Sequence, residues 1–301
     1  MKAVLLTDYG GVDKLVVTEL PEPDLGPHDV KVRVRGASIN PVDWKLRRGD
    51  LRALVPLELP AILGRDVAGD VIAVGDEVTT LRVGEPVLGL VQHGYAEVVV
   101  APADSFAKIP DELESYEAAA LPLVGLTGAQ LVEEVVAPKP GDSVLVTGAV
   151  GSVGRVAVFA ARKLGARVIA GVRASQRELA ESLDVDAVVA LDEPGELERL
   201  PLVDAVADTV NGDVMESLLV RIRPGGVLGT VLSEPKGARD RLLTVRTMLA
   251  HPDSTRLSDL ASALARGELA LPIDGTYPLA EVRTAHQLAE QHGVAKVVLV
   301  T

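Results

Sequence analysis

The chain has 301 residues, which is long enough for two domains of ordinary size and a substantial core. It carries 43 acidic and 30 basic residues, and the formal net charge of −13 disfavours nucleic acid and anionic membranes as partners. The lack of cysteine excludes disulfides, thiolate nucleophiles and cysteine-ligated zinc. The N-terminal apolar run is too short for a signal peptide and no later run reaches the ~20 residues of a membrane span, so we expect a cytoplasmic protein.

The first part of the chain predicts short strands. Apolar runs such as KAVLLT, DVKVRVRGAS and YAEVVVAP are separated by Gly, Pro and Asp, with no strong helical stretch among them. The pattern becomes helical only at 111–136, where the chain reads DELESYEAAALPLVGLTGAQLVEEVV. The sequence therefore predicts an all-β, barrel-like unit at the N-terminal end.

A glycine-rich turn in the middle of the chain carries the strongest functional signal. Residues 143–154 read SVLVTGAVGSVG, an apolar strand that runs into glycines and then into the helix-like stretch RVAVFAARKLGA. This order suits the pyrophosphate of a dinucleotide, because small residues let the backbone approach the phosphates and the amides at a helix start favour negative charge. The surrounding strand, turn and helix make the pattern specific. The predicted cofactor-binding residues are Gly148, Ala149, Val150, Gly151, Ser152, Val153 and Gly154.

Alternating strands and helices follow this turn. Apolar runs at 167–170, 187–191, 203–208 and 227–232 predict a parallel, doubly wound sheet. From about 246, helical stretches at 256–266 and 280–290 precede an apolar final strand, AKVVLVT, which we expect to pair with the N-terminal β unit. The predicted domains are a catalytic domain in two parts, 1–113 and 246–301, and an inserted nucleotide-binding domain, 114–245.

The segment after the second strand of this inserted domain bears on the choice of dinucleotide. An NAD-specific fold usually has Asp or Glu there to bind the ribose 2′-hydroxyl. This chain reads AGVRASQRE at 170–178, with no acid between Gly171 and Arg177. Because guanidinium groups bind phosphate well, Arg173, followed by Ser175 and Arg177, predicts a 2′-phosphate site and therefore NADPH. The alternative is that these arginines are merely solvated at a helix start.

Eight short strings occur in the order typical of one family. They are SINPVDWKLRRG (38–49), LGRDVAGDVIAVGDEV (63–78), GYAEVVVAPAD (94–104), PLVGLTGAQ (122–130), VTGAVGSVG (146–154), DTVNGD (208–213), RPGGVLGTVL (223–232) and AKVVLV (295–300). On these strings the chain resembles the zinc-free medium-chain dehydrogenase/reductase superfamily, and within it the ζ-crystallin-like quinone oxidoreductases. The resemblance implies an α/β protein with a β-rich, GroES-like barrel as catalytic domain and a Rossmann-type nucleotide-binding domain with a doubly wound parallel sheet.

The resemblance also implies roles for individual residues. Asn40 matches the asparagine that reaches the nicotinamide end of the cleft, and Thr127 matches a threonine near the nicotinamide-side phosphate and ribose. Trp44 and Lys45 follow Asn40 closely and are candidates for the substrate cleft. The alternatives are an ordinary turn residue before Pro41 for Asn40 and a helix-terminal hydroxyl for Thr127. The stretches expected to line the adenosine-linked ribose and the nicotinamide carboxamide contain Asn211, Val231, Leu232 and Ser233.

The family comparison also bears on metal content and reaction. Zinc-dependent relatives have a histidine and an acid in a GHE-type string, where this chain has Arg65 and Asp66, and the five histidines show no metal-ligand spacing. We therefore expect no metal. Without a Lewis acid an alkoxide loses its usual stabilisation, which favours reduction of an electron-poor acceptor over oxidation of an alcohol. The expected reaction is direct hydride transfer from NADPH to a small-molecule quinone or enone, with no general acid assigned.

The sequence leaves several functions open. The first hypothesis is an NADPH-dependent quinone reductase, and the second is an enoyl or enone reductase that acts on an activated alkene. The third is an NADPH-binding sensor with little turnover, and the fourth, nucleic-acid binding, is disfavoured by the negative charge. A homodimer is also expected, with the run at 227–232 as the sheet edge that pairs across a two-fold axis.

Overall fold

The computed structural model describes residues 1–291, 293 and 295–301. The chain divides into two compact units, which we call the first unit (Met1–Leu123 with His251–Thr301) and the second unit (Val124–Ala250). No helix in the described residues is long and apolar enough to cross a bilayer.

The secondary structure alternates as the sequence predicts in the second unit and is mostly extended in the first. The strands are β1 (Lys2–Leu6), β2 (Leu15–Glu19), β3 (Asp29–Ile39), β4 (Ala61–Ile62), β5 (Asp66–Val74), β6 (Pro86–Leu90), β7 (Val98–Pro102), β8 (Phe106–Lys108), β9 (Ser143–Thr147), β10 (Arg167–Val172), β11 (Ala187–Ala190), β12 (Val203–Asp208), β13 (Ile222–Thr230), β14 (Thr244–Thr247), β15 (Ile273–Pro278) and β16 (Lys296–Val300). The helices are α1 (Pro41–Arg48), α2 (Ser115–Ala119), α3 (Pro122–Gln130), α4 (Ser152–Lys163), α5 (Arg177–Glu181), α6 (Pro194–Arg199), α7 (Asp213–Leu218), α8 (Ser254–Ala265) and α9 (Val282–Ala289). A π-helical turn, Leu131–Val136, continues α3.

Strand β3 organises the first unit. The order of the main sheet is β15-β16-β3-β5-β6-β8, with β7 also paired to β3, and β2-β1-β4 form a smaller sheet. Along β3, buried valines alternate with polar residues up to Arg35, and the strand is then buried on both faces as far as Ile39. The final strand β16 pairs antiparallel with this doubly buried end, with Val297 opposite Ile39, which confirms the predicted pairing.

The second unit is a parallel sheet with a core on each face. Its strand order is β11-β10-β9-β12-β13-β14, the order of a dinucleotide-binding doubly wound fold. Alternate residues of β9 enter different cores: Val144 and Val146 pack with α4 and the π-helical turn, whereas Leu145 packs with α7. Because both faces are covered, β9 is buried along its whole length, which explains the apolar run between Ser143 and Thr147.

The predicted sheet edge at 227–232 is wrong. That run lies in β13 and its C-terminal end, and β13 is covered by β14, which pairs with it in parallel from Val227 opposite Thr244 to Thr230 opposite Thr247. Strand β14 reads TVRT and is mostly exposed, so it lacks the apolar run that reveals a buried strand.

The unit boundaries also differ from the predicted domain boundaries. The first unit extends to Leu123 and resumes at His251, whereas the sequence placed these divisions after 113 and before 246. The physical reason at the first boundary is helix α2, which packs on β3 and β5. It approaches so closely that a Cβ on Gly36 would lie 3.1 Å from the Cβ of Ala119.

Candidate active site

The glycine turn between β9 and α4 is built for close packing of backbone on backbone. Gly148 adopts a φ of +64°, which favours glycine. A Cβ on Gly154 would lie 2.1 Å from the carbonyl oxygen of Gly148, so only glycine fits at the first turn of the helix. This packing lets α4 start directly over the carboxyl end of β9, where a parallel sheet of this kind binds its ligand.

The amides of this turn fall into two groups. Those of Gly148 and Ala149 donate to the carbonyl oxygen of Gly171, at 2.8 and 3.3 Å, and are therefore occupied inside the protein. Those of Ser152 and Val153 lie in the first turn of α4 and have no acceptor in the described residues. The N-cap residue is Gly151, which has no side chain to satisfy them, and it is exposed. Unpaired amides at a positive helix end are a fit for a phosphate group.

A buried carboxylate that the sequence analysis did not single out shapes the neighbouring loop. Asp208, at the end of β12, is fully buried and accepts hydrogen bonds from the hydroxyls of Thr147 (2.8 Å) and Thr230 (2.9 Å). It also accepts hydrogen bonds from the backbone amides of Val210 and Asn211, at 3.1 and 3.0 Å. Asp208 thus ties the ends of β9, β12 and β13 together. Its sequence signal is an acid that ends an apolar strand.

Two predicted cofactor segments meet beyond this carboxylate. Asn211 has a φ of +61°, and its side-chain Nδ2 donates to the Ser233 hydroxyl at 2.8 Å and to the Ser233 carbonyl at 2.9 Å. Val231 and Leu232 lead from β13 to this contact and are half-buried. The structure therefore brings Asn211 together with Val231, Leu232 and Ser233 at the carboxyl end of the sheet.

Thr127 lies on α3, close to the start of α4. It is half-buried, and the residue after it, Gly128, would place a Cβ 2.6 Å from the carbonyl oxygen of Val153. This close approach sets α3 against the first turn of α4. Thr127 therefore sits beside the glycine turn, within the same unit.

The three residues predicted to bind a 2′-phosphate have different surroundings. Arg173 and Ser175 are exposed after β10, and the Arg173 guanidinium has no ion pair in the described part of the chain. Arg177 instead donates its Nη2 to both carboxylate oxygens of Glu196, at 2.5 and 2.6 Å. A hydrogen bond from the backbone N–H of Ala190, together with the contact to Arg177, holds the pKa of Glu196 below its usual value. Arg177 is thus engaged in a contact that joins α5 to α6.

In the first unit, Asn40 belongs to a buried polar cluster. It is 2% exposed; its Nδ2 donates to Asp66 Oδ2 at 2.7 Å, and its Oδ1 accepts from Lys296 Nζ, also at 2.7 Å. Ser38 donates to the same Asp66 oxygen at 2.5 Å, and the amide of Leu123 donates to the other at 2.7 Å. The Lys296 ammonium lies 3.5 Å from Asp66. The two ends of the Asn40 amide are therefore fixed by a carboxylate and an ammonium.

A second set of buried groups adjoins this cluster. Asp43 accepts a hydrogen bond from the backbone N–H of Asn40 at 2.8 Å, and burial raises the pKa of Asp43 to about 6. Burial also raises the pKa of Tyr95 above its usual range, so the phenol keeps its proton. His286 packs edge-on against the Tyr95 ring at 5.7 Å, and burial, with a smaller effect of Arg47, lowers its pKa to about 3. At neutral pH this region therefore holds a neutral imidazole and a neutral phenol.

Trp44 and Lys45 lie on α1, directly after Asn40. Both are half-buried. The Lys45 ammonium and the Arg48 guanidinium lie over the Trp44 ring, at 5.6 and 5.0 Å from its centroid. Both cations lie within range of a cation–π contact. At the position of the GHE-type string, Arg65 donates Nε to the carbonyl of Val91 at 3.2 Å. In the described residues no three His, Asp or Glu side chains are grouped to hold a metal.

Comparison with known proteins identifies the family. Residues 26–111 match the alcohol dehydrogenase GroES-like domain, and residues 183–299 match the family described as zinc-binding dehydrogenase. The chain is 30% identical to the chloroplast envelope quinone oxidoreductase homolog of Arabidopsis thaliana, over 99% of this chain and 98% of that protein. It belongs to the medium-chain dehydrogenase/reductase superfamily. The resemblance stated from the sequence strings and the predicted fold class are both confirmed.

Two further similarities cover most of the chain. The 2-haloacrylate reductase of a Burkholderia species is 30% identical, over 95% of this chain and 94% of that protein. The solved structure of the quinone oxidoreductase from Coxiella burnetii superposes with a TM-score of 0.89 at 28% identity, over 100% of this chain and 99% of that one. This member of the superfamily is thus an oxidoreductase with an NAD(P)-type nucleotide-binding domain and a small-molecule substrate.

Proposed function

We propose that the protein is a zinc-independent reductase that uses NADPH to reduce a quinone. The proposal of a dinucleotide cofactor is supported by the start of α4. There the amides of Ser152 and Val153 follow a glycine N-cap and have no acceptor in the described residues. These amides would hold the pyrophosphate. Asn211 and Ser233 would line the ribose and carboxamide, and Thr127 the nicotinamide-side phosphate. The quinone acceptor is supported by the names of the similar proteins from A. thaliana and C. burnetii.

The preference for NADPH rests on the end of β10. Arg173 is exposed there and has no ion pair in the part of the chain that the structure describes, so its guanidinium is available to a 2′-phosphate. The exposed hydroxyl of Ser175 adds a donor. Arg177 is left out of this proposal because Glu196 already binds it.

The chemical step requires positioning more than acid–base groups. Bound NADPH supplies a hydride from C4 of its nicotinamide, and Asn40 would orient that ring with an amide that Asp66 and Lys296 hold in one direction. The raised pKa of buried Tyr95 makes this phenol a poor proton donor. We therefore propose that solvent water protonates the product, which suffices for a hydroquinone because it needs no stereospecific proton.

The test is consumption of NADPH and NADH by the purified protein, with an ortho-quinone and, in parallel, an unhindered enone. Fast loss of NADPH with the quinone is the expected result. Arg173→Gln should lower the preference for NADPH over NADH by about tenfold or more, since a charge-assisted contact is worth roughly 1.5–3 kcal/mol. Arg177→Gln is the matched control and should lower stability without changing that preference. Equal use of both cofactors by the unaltered protein would contradict the NADPH proposal.

A second candidate is an enone reductase that acts on an activated alkene. The similarity to a 2-haloacrylate reductase over nearly the whole chain favours it. Turnover of the enone alone in the same assay would support this candidate, with a single product stereoisomer expected. Tight NADPH binding without turnover of either acceptor would instead support a sensor.

We also propose a homodimer, with β14 rather than the run at 227–232 as the pairing edge. Strand β14 ends its sheet in the described residues, and Leu242 and Leu249 beside it are 81% and 88% exposed. An unpaired edge flanked by exposed leucines favours pairing of two copies across a two-fold axis. Light scattering should give twice the chain mass, and Leu242→Glu with Leu249→Glu should give the monomer mass. A monomeric unaltered protein would contradict this. The cytoplasmic location stays a prediction.

A further inference from the structure

One arginine lies beside the glycine turn that joins β9 to α4. Arg155 lies in α4, immediately after Gly154, and is only 9% exposed. Its Nε donates to the carbonyl oxygen of Val150 at 2.9 Å, so the side chain folds back toward the start of the helix. Val150 belongs to the turn that joins β9 to α4. The guanidinium is therefore held by the same turn that precedes the unpaired amides of Ser152 and Val153.

No carboxylate of the described residues balances the charge of this guanidinium. Within the residues that the structure describes, Arg155 forms no ion pair and its terminal nitrogens have no hydrogen bond. Arg47, the one other buried arginine of the described residues, is 2% exposed and lies 2.6 Å from Glu290. Burial lowers the pKa of Arg155, and no carboxylate in the described part of the chain offsets this effect. A largely buried guanidinium without a counter-ion is unfavourable, and its terminal nitrogens are available to an anion.

The position in the helix makes the charge still less favourable. Arg155 is the fourth residue of α4, and its guanidinium points to the positive end of the helix dipole, which repels cations. An anion bound at this end would reverse the sign of both effects. It would pair with the guanidinium and accept from the free amides of Ser152 and Val153 at once.

We propose that Arg155 binds the pyrophosphate of the dinucleotide and supplies the positive charge of that site. The inference rests on the proposed function, because it names a further residue of the same cofactor site. The Nε bond to Val150 sets the direction of the guanidinium, and the terminal nitrogens bind the phosphate oxygens. The 2′-phosphate remains with Arg173. Binding of the two phosphate groups is thus divided between two arginines.

The experiment compares Arg155→Gln with Arg162→Gln in the full chain. Arg162 lies on the same helix and is paired with Asp184 and Asp186, so its variant makes an identical charge change away from the turn. Calorimetry measures three ligands: NADPH, 2′-phospho-ADP-ribose, which lacks nicotinamide, and adenosine 2′-monophosphate, which lacks the pyrophosphate. Arg155→Lys tests rescue by charge, and thermal unfolding without ligand checks folding.

Loss of Arg155 should weaken NADPH and 2′-phospho-ADP-ribose equally, by about 10- to 100-fold, and leave adenosine 2′-monophosphate unchanged. Arg155→Lys should recover part of the loss, Arg162→Gln should lose nothing, and the Tm of ligand-free Arg155→Gln should not fall. Equal weakening of all three ligands, or of adenosine 2′-monophosphate alone, would overturn the inference. Failure of the unaltered protein to bind NADPH would instead overturn the proposed function, and this inference with it.

Discussion

Replacing Lys296 by methionine should destabilise the first unit strongly. At 3.5 Å from Asp66, the ammonium contributes about 5 kcal/mol of attraction at an effective dielectric constant of roughly 20. Its hydrogen bond to Asn40 adds about 1.5–3 kcal/mol. Methionine has no charge to bury, so the variant avoids the cost of desolvating the ammonium, which offsets part of these two losses. We therefore expect a loss of about 3–5 kcal/mol in the free energy of unfolding, the range typical of one partner left buried and unpaired.

The assay is urea unfolding at pH 7, followed by the fluorescence of Trp44. This residue is the single tryptophan of the chain and lies on α1, four residues after Asn40, so it reports the first unit. Arg35→Met is the matched control. Arg35 pairs with Asp70 in the same sheet at 2.9 Å, but the two side chains are 51% and 37% exposed, so its loss should cost less than about 1 kcal/mol.

The double variant Asp66→Asn with Lys296→Met gives the second half of the test. It removes both charges, so it should be more stable than Lys296→Met alone and the two changes should not add. A cost below about 1 kcal/mol for Lys296→Met, or strict additivity in the double variant, would refute the argument that the ammonium and the carboxylate support one another.

Three other outcomes are expected. Gly154→Ala would force its Cβ within 2.1 Å of the Gly148 carbonyl, so it should cost about 1–3 kcal/mol in urea unfolding and weaken NADPH binding; full stability would contradict the packing. His286 has a pKa lowered from 6.5 to about 3, so its stabilising contribution is complete above pH 6.5 and is lost as the pH falls, by about 1.4 kcal/mol per pH unit. As the pH is lowered from 6 to 4, the stability of His286→Phe relative to that of the unaltered protein should therefore rise at that slope in denaturation curves. A difference that stays constant would show that the pKa of His286 is not lowered in the folded protein. Asn211→Ala loses two hydrogen bonds to Ser233 at a left-handed residue, so its NADPH dissociation constant should rise about tenfold or more, unlike that of the exposed-loop variant Lys236→Ala.

Local patterns in the sequence were enough for the elements that depend on neighbouring residues. The run SVLVTGAVGSVG predicts its own structure, because the residues that pack together are close in sequence. The apolar residues form the buried strand β9, and Gly154 packs on the Gly148 carbonyl. The final strand was equally predictable, since AKVVLVT is too apolar to remain unpaired. The family strings led to the fold class for the same reason: they mark turns and strand ends whose geometry is local.

The tertiary structure decided which charged groups find partners, because these pairings are not encoded in any local sequence pattern. Arg173 and Arg177 are equivalent candidates for the 2′-phosphate in the sequence. In the folded chain α6 brings Glu196 to Arg177, so Arg173 is the arginine left without an ion pair in the described residues. Lys296 meets Asn40 across 256 positions of chain, and no local pattern encodes that contact. Strand β14 was missed because an edge strand needs no apolar run. Periodicity records which residues are buried, whereas the pairing of charges depends on contacts between residues that lie far apart in the chain.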